Sequence, residues 1–178
     1  MPCEIFVFDH IAKCGGSTIS TMFNAAGCSV LRFHPGGARR YEGTTDKLLL
    51  CGHNLFHNLP MPEGVLYFTL LRDPVEVFYS QRWGRARAFK RAVDLRWDES
   101  LALVRRKFAI DPARYHFVGA LEKLKESAAR LSELTGLPLA TDIHVQQSNR
   151  PVIDYRRAEL ERALAPELDL WTTAMCGL

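Results

Sequence analysis

The chain has few cysteines, no long apolar run and almost no excess of charge. Its five cysteines are scattered, and no two of them have the C-x-x-C spacing of zinc sites and redox pairs. Lys and Arg total 23 against 20 Asp and Glu, and this net charge of +3 does not by itself indicate nucleic-acid binding. The sequence holds neither the roughly 20 consecutive apolar residues of a membrane span nor a signal-type N-terminus. These absences predict reduced thiols in a cytoplasmic protein with no nucleic-acid partner and no membrane span, in which any anion site is local.

The remaining composition suits a single compact domain over residues 1–178, because 47% of the residues are hydrophobic and 24% are charged. Apolar runs that predict buried strands alternate with stretches of helical spacing. Strands are predicted at 5–8, 29–33, 48–51, 65–71 and 115–119, and helices from residue 17 until Gly27 ends the first one, from Pro74 onward, and at 97–110, 121–136 and 155–165. Residues 34–45 are predicted to form a polar loop. This alternation predicts a three-layer α/β fold, a central parallel sheet flanked by helices, with ligands bound beyond the carboxyl ends of the strands.

The stretch FDHIAKCGGSTIS, residues 8–20, joins the first predicted strand to the first predicted helix. Adjacent Gly15 and Gly16 allow a tight turn that gathers backbone N–H groups at the positive end of the helix, which is a cradle for phosphate. Lys13 adds a mobile charge, and Ser17 and Thr18 add hydroxyl donors. The alternative is a plain turn with Ser17 as helix cap and Lys13 in solvent. The GxxxxGK[ST] loop of nucleotide triphosphatases has the opposite order, because here the lysine precedes the glycines.

A second anion motif is predicted in LLRDPVEVFYSQ, residues 70–81. Arg72 ends a strand, Pro74 suits the first turn of a helix, and Ser80 lies eight residues after Arg72, about two helical turns away. Arg72 and Ser80 can then face one oxyanion. The alternative is a surface ion pair between Arg72 and Asp73, with Ser80 an ordinary helix residue.

A candidate catalytic base is found in LLLCGHNLFH, residues 48–57, where His53 lies just past a strand. A histidine at this position is either a general base or a hydrogen-bonded structural residue. His57 gives the segment some similarity to the HExxH zinc motif, but the glutamate is missing and Pro60 leaves little room for a helix, so no metal is predicted. His10 is expected to support the glycine loop rather than to react.

In this order, the motifs resemble those of sulfotransferases that use 3′-phosphoadenosine 5′-phosphosulfate. FDHIAKCGGSTIS resembles their HIPKTGGTS-type 5′-phosphosulfate loop, LRDPVEVFYS their RDPxERxxS 3′-phosphate motif, and FVGALEKLKESAARLSELTGL their VGxxExLxxSxxxLxxLxG stretch. The resemblance is closest to the carbohydrate-type group that includes heparan sulfate 2-O-sulfotransferases, and it suggests a small bacterial-type member. The chain departs from the family at three positions within these motifs: Ala12 stands for proline, Cys14 for threonine and Val77 for arginine.

The resemblance implies a P-loop-like fold and in-line transfer of a sulfuryl group to a hydroxyl acceptor, a carbohydrate or glycolipid. It implies that Lys13 contacts the oxygen that bridges phosphate and sulfate, and that His53 is the base. The residues implied to hold the donor's 5′-phosphate are Gly15, Gly16, Ser17 and Thr18, and those implied to hold its 3′-phosphate are Arg72 and Ser80. The product is 3′-phosphoadenosine 5′-phosphate, and no metal is required.

Two other functions remain open from the sequence. A P-loop kinase or nucleotide hydrolase shares the strand, loop and helix of the first motif, and a nucleotide-binding module without catalysis would keep both anion motifs. A basic stretch after the second motif either steers an anionic acceptor or is a solvated helix face. Its members are Arg82, Arg85, Arg87, Lys90 and Arg91.

Overall fold

The computed structural model describes residues 4–34, 37–53, 62–89, 97–143 and 156–178, with the backbone alone for residues 34 and 83–89. The strands are β1 (Ile5–His10), β2 (Ser29–His34), β3 (Gly37–Tyr41), β4 (Leu48–His53), β5 (Val65–Leu71) and β6 (Phe117–Ala120). The helices are α1 (Gly16–Ala25), α2 (Pro74–Phe89), α3 (Trp97–Phe108), α4 (Leu124–Thr135), α5 (Arg157–Ala163) and α6 (Ala165–Cys176). The α/β class predicted from the alternation is confirmed.

The six strands form one mostly parallel sheet in the order β3-β2-β4-β1-β5-β6. Only β3 runs antiparallel to its neighbour, β2. β1 lies inside the sheet, parallel to both β4 and β5. A strand in this position is covered on both faces, which explains its nearly uninterrupted apolar sequence.

Helices cover both faces of the sheet, as the three-layer prediction requires. One core contains Phe6 and Phe8 of β1, packed against Ile19 of α1 and Leu131 of α4. The other core, on the opposite face, joins α2, α3, α5 and α6 to the sheet. Within the described residues, no helix is both long and apolar enough to cross a membrane.

Two elements differ from the sequence prediction. Residues 34–45 are not simply a polar loop, because Gly37–Tyr41 pairs with β2 as an antiparallel edge strand. The last predicted helix, 155–165, corresponds to α5; a further helix that was not predicted, α6, begins after Leu164 and continues to Cys176 with Pro166 in its first turn. Gly84 lies within the continuous α2 and does not interrupt it.

Candidate functional site

The carboxyl edge of the sheet brings three of the predicted site residues to adjacent strands. His53 is the last residue of β4 and is in register with His10, the last residue of β1. Lys13 follows β1, and Arg72 follows β5 on its other side. Parallel strands that start at one edge also end at one edge, so residues distant in sequence meet here.

The loop between β1 and α1 holds an unusual backbone. Lys13 has φ +78° and Gly15 has φ +81°, both in the left-handed region that non-glycine residues rarely adopt. Gly15 is the N-cap of α1 and supplies no side chain to cap it, so the alternative in which Ser17 caps the helix is wrong. Within the described residues, neither the hydroxyl of Ser17 nor the N–H groups of Gly15 and Ser17 have a hydrogen-bond partner. The positive end of α1 is therefore open to an anion.

The second glycine of the pair is required by its contact with His10. The N–H of Gly16 donates a hydrogen bond to Nε2 of the buried His10 at 3.1 Å. A Cβ on Gly16 would lie 2.1 Å from the imidazole carbon Cε1, so no side chain fits there. The prediction that His10 supports the loop is confirmed. In this conformation, however, the N–H of Gly16 is directed to His10 rather than to a phosphate.

His53 lies against the same imidazole. The rings of His10 and His53 are 4.3 Å apart between centroids, and Nδ1 of His53 is 3.3 Å from the backbone carbonyl of His10. A carbonyl oxygen only accepts, so Nδ1 of His53 must carry the proton in this contact. In the neutral ring the lone pair is then on Nε2, the nitrogen farther from the backbone. His53 is exposed at this edge of the sheet.

Arg72 connects the second anion motif to the first. Its guanidinium donates a hydrogen bond to the backbone carbonyl of Lys13 at 3.3 Å. It also pairs with Glu76, one helical turn later, at 3.4 Å. The two anion motifs, 59 residues apart in the chain, thus lie side by side.

Asp73 closes the N-terminus of α2. Its Oδ1 accepts from the N–H groups of Val75 at 2.8 Å and Glu76 at 3.4 Å, as expected for an N-cap before a proline. Its Oδ2 pairs with Arg157 of α5 at 2.8 Å. The alternative of an Arg72–Asp73 surface pair is therefore wrong, because each residue pairs with a different partner. The end of α2 is already capped, so Arg72 supplies the charge of this motif.

Other predicted donors lie farther from these contacts. Thr18 is buried in the first turn of α1. Ser80 is half-buried on α2, and no hydrogen bond within the described residues joins its side chain to Arg72 or to the glycine loop. The arrangement thus places Arg72 against Lys13 and His53 at the end of the neighbouring strand, and leaves Ser80 two turns away along α2.

Buried groups beneath the loop are held in their neutral forms. Burial raises the pKa of the Cys14 thiol to about 12, against which the nearby Arg72 acts only weakly. Burial also raises the pKa of Tyr115, and the Asp9 carboxylate, which accepts its hydroxyl at 2.8 Å, raises it further. A thiol kept protonated in this way is a poor nucleophile, so Cys14 serves packing.

Sequence reasoning missed the acidic and basic partners around Arg72. Glu76 was detectable, since acidic and basic residues four apart on a helix form pairs. Arg157 contacts Asp73 from 84 residues away, and Glu122 accepts the N–H of Asp73 at 3.0 Å from 49 residues away. No local pattern signals such pairs.

Some sequence predictions lie outside the described residues. They concern His57, Lys90, Arg91 and the side chains of Arg85 and Arg87. The side chain of Arg82 is described, and its guanidinium lies 5.8 Å from the ring centroid of Phe78. In the described part of the chain, no group of three or more His, Cys, Asp or Glu is arranged to hold a metal ion.

Comparison with known proteins adds no assignment. The sequence matches no family model, and a search of curated proteins finds no significantly similar sequence. The residues and their geometry therefore carry the functional argument.

Proposed function

We propose that this protein is a sulfotransferase with a P-loop-like fold. It binds 3′-phosphoadenosine 5′-phosphosulfate at the carboxyl edge of the sheet and transfers the sulfuryl group to a hydroxyl of a carbohydrate or glycolipid. The donor supplies a sulfuryl group whose bond to the 5′-phosphate breaks as a new S–O bond to the acceptor forms. The roles of the individual residues follow from the sequence resemblance and are supported by their positions.

The observation that carries the proposal is the hydrogen bond from Arg72 to the carbonyl of Lys13. Two anion motifs in different clefts would serve two ligands, whereas adjacent motifs suit one ligand with two anionic groups. A nucleotide that bears phosphate on both its 3′ and 5′ positions has this property. Lys13, exposed and next to the open end of α1, is available to neutralise the charge that develops on the leaving phosphate oxygen.

The contact between His53 and His10 supports the tautomer that a general base needs. Attack by the acceptor hydroxyl requires removal of its proton, and the contact of Nδ1 with the carbonyl of His10 leaves the lone pair on Nε2. The same contact fixes the ring against His10, which is itself bound to Gly16. The base and the phosphate loop are therefore oriented by one chain of contacts, as in-line attack demands.

The geometry changes two of the residue roles that the resemblance implies. The N–H of Gly16 is directed to His10 and Thr18 is buried, so the 5′-phosphate is assigned to Gly15, Ser17 and Lys13. Ser80 joins the 3′-phosphate only when the nucleotide spans the surface between the end of β5 and the second turn of α2. The assignment of Arg72 does not depend on this second contact.

Calorimetric titration with 3′-phosphoadenosine 5′-phosphate and with ATP, each with and without Mg²⁺, tests the proposal. We expect the doubly phosphorylated nucleotide to bind more tightly than ATP and without a need for Mg²⁺. Preference for ATP with Mg²⁺, followed by its turnover, would instead identify a kinase or hydrolase. Incubation with ³⁵S-labelled donor and a panel of glycans then separates an enzyme from a binding module, because only the enzyme releases label onto an acceptor.

A further inference from the structure

The β2–β3 hairpin places two arginines directly opposite each other. Arg32 of β2 and Arg39 of β3 are paired in register across the antiparallel ladder. Directly opposed side chains project from the same face with their Cβ atoms about 5 Å apart, and like charges in this arrangement destabilise the pair. The described residues include no carboxylate that pairs with either guanidinium. The next arginine, Arg40, pairs with Glu42 at 2.7 Å.

This pair lies on the same face of the sheet as His53. In the parallel ladder Arg32 is in register with Cys51, and Cys51 is two residues before His53 on β4. Residues two apart on a strand share a face, so Arg32, Cys51 and His53 project to the same side. From strand spacing and rise, the Cα atoms of Arg32 and His53 are roughly 8 Å apart, within reach of an arginine side chain.

The strand order separates this pair from the phosphate motifs. In the sheet β3-β2-β4-β1-β5-β6, Lys13 and Arg72 follow β1 and β5, whereas Arg39 and Arg32 lie on β3 and β2. His53, at the end of β4, stands between the two groups. A base must lie within hydrogen-bond reach of the hydroxyl that attacks the transferred group, so an acceptor held beside His53 is suitably placed for attack.

We infer that Arg32 and Arg39 form an acceptor subsite that binds a carboxylate or sulfate next to the accepting hydroxyl. This inference rests on the proposed function for the role of His53 and names the chemical class of its acceptor. Two adjacent guanidinium groups that lack a protein carboxylate match the planar, bidentate recognition of such anions. The bound anion removes the repulsion between the two arginines.

Equilibrium binding of two matched probes tests the subsite. 4-Nitrophenyl β-D-glucuronide and 4-nitrophenyl β-D-glucoside differ in a carboxylate, and their affinities can be measured by ligand-observed NMR with saturating 3′-phosphoadenosine 5′-phosphate. We expect the wild-type protein to bind the glucuronide more tightly, and Arg32→Gln or Arg39→Gln to weaken that binding about tenfold without changing binding of the glucoside. Arg40→Gln is the matched control, because Arg40 is on the same strand but projects from the other face.

Thermal unfolding of the same variants separates a binding role from a structural one. Removal of one of two opposed like charges should leave the melting temperature of Arg39→Gln equal to or above that of the wild type. A lowered melting temperature, an equal effect of Arg40→Gln on glucuronide binding, or equal wild-type affinity for both glycosides would each overturn the subsite. Titration of wild-type protein with the nucleotide alone tests the proposed function, so a failure of that function is seen separately.

Discussion

Arg72 offers a test in which binding and folding respond differently. In the absence of ligand, its guanidinium makes one hydrogen bond of 3.3 Å to Lys13 and one ion pair of 3.4 Å to Glu76. The side chains of Arg72 and Glu76 are 24% and 31% exposed, and their charged atoms are 3.4 Å apart. This ion pair therefore resembles a solvent-exposed surface pair. Such pairs contribute about 0–1 kcal/mol. Arg72→Gln should therefore lower the free energy of unfolding by no more than about 1 kcal/mol.

The effect of the same change on the nucleotide should be much larger. Loss of a charge-assisted bidentate contact with the 3′-phosphate is expected to cost about 2 to 4 kcal/mol of binding free energy. This corresponds to an affinity roughly 30- to 700-fold lower. Isothermal titration with 3′-phosphoadenosine 5′-phosphate measures it, and urea unfolding of the same preparation gives the stability.

A nucleotide without the 3′-phosphate shows whether the effect of Arg72→Gln depends on that phosphate. With adenosine 5′-phosphate, which lacks that group, Arg72→Gln should change affinity little, since the contact does not exist in either protein. Arg130→Gln is a matched control, because Arg130 is exposed on α4 and pairs with Glu133. An equal loss of affinity for both nucleotides would refute the assignment of Arg72 to the 3′-phosphate, as would no loss for either.

Three further variants test neighbouring contacts. His53→Ala should reduce transfer of ³⁵S-labelled sulfuryl groups about 10²-fold or more while nucleotide affinity is kept, and unchanged turnover would remove His53 as base. Gly16→Ala would place its methyl group against the His10 ring and should cost about 1–3 kcal/mol of stability, measured by urea unfolding; a stable variant with the His10 contact intact would contradict this packing. Because the Cys14 pKa rises from 9.0 to about 12 in the folded protein, its stabilisation is complete below pH 9 and lost as the pH rises towards 12. Cys14→Ala should reduce the alkaline loss of stability by up to about 1.4 kcal/mol per pH unit between these values, and an unchanged pH slope would show that another group controls it.

The parts of the fold that were predictable are those with a local signal. β5 was predicted with the bounds it has, because an uninterrupted apolar run ends at an Arg-Asp-Pro turn. β3 was missed because its sequence, GARRY, is polar and exposed, and its pairing with β2 depends on a turn rather than on burial. α6 was not predicted because its apolar residues have no clear helical stripe, although Pro166 marks its start.

The candidate site was predictable only in its chain-local components. The glycine pair, Lys13 and Arg72 were identifiable from spacing, since each belongs to a strand end followed by a helix start. The reason for the second glycine was not, because the imidazole that excludes a side chain at Gly16 belongs to a contact across the loop. The ion pair of Asp73 with Arg157 was equally hidden, as it closes a loop of 84 residues.

The strand order explains why the relative positions of the donor-binding and acceptor-binding regions could not be predicted from the sequence. In sequence order the relevant positions are Lys13, Arg32, His53 and Arg72, which places an arginine between the loop and the base. In the sheet, β4 lies between β2 and β1, so the base His53 lies between Arg32 and the loop that holds Lys13. His53 then has the phosphate motifs on one side and the Arg32–Arg39 pair on the other. The proposed catalytic role of His53 thus depends on topology as much as on its imidazole, because in another strand order the same residue would not lie beside both anion-binding regions.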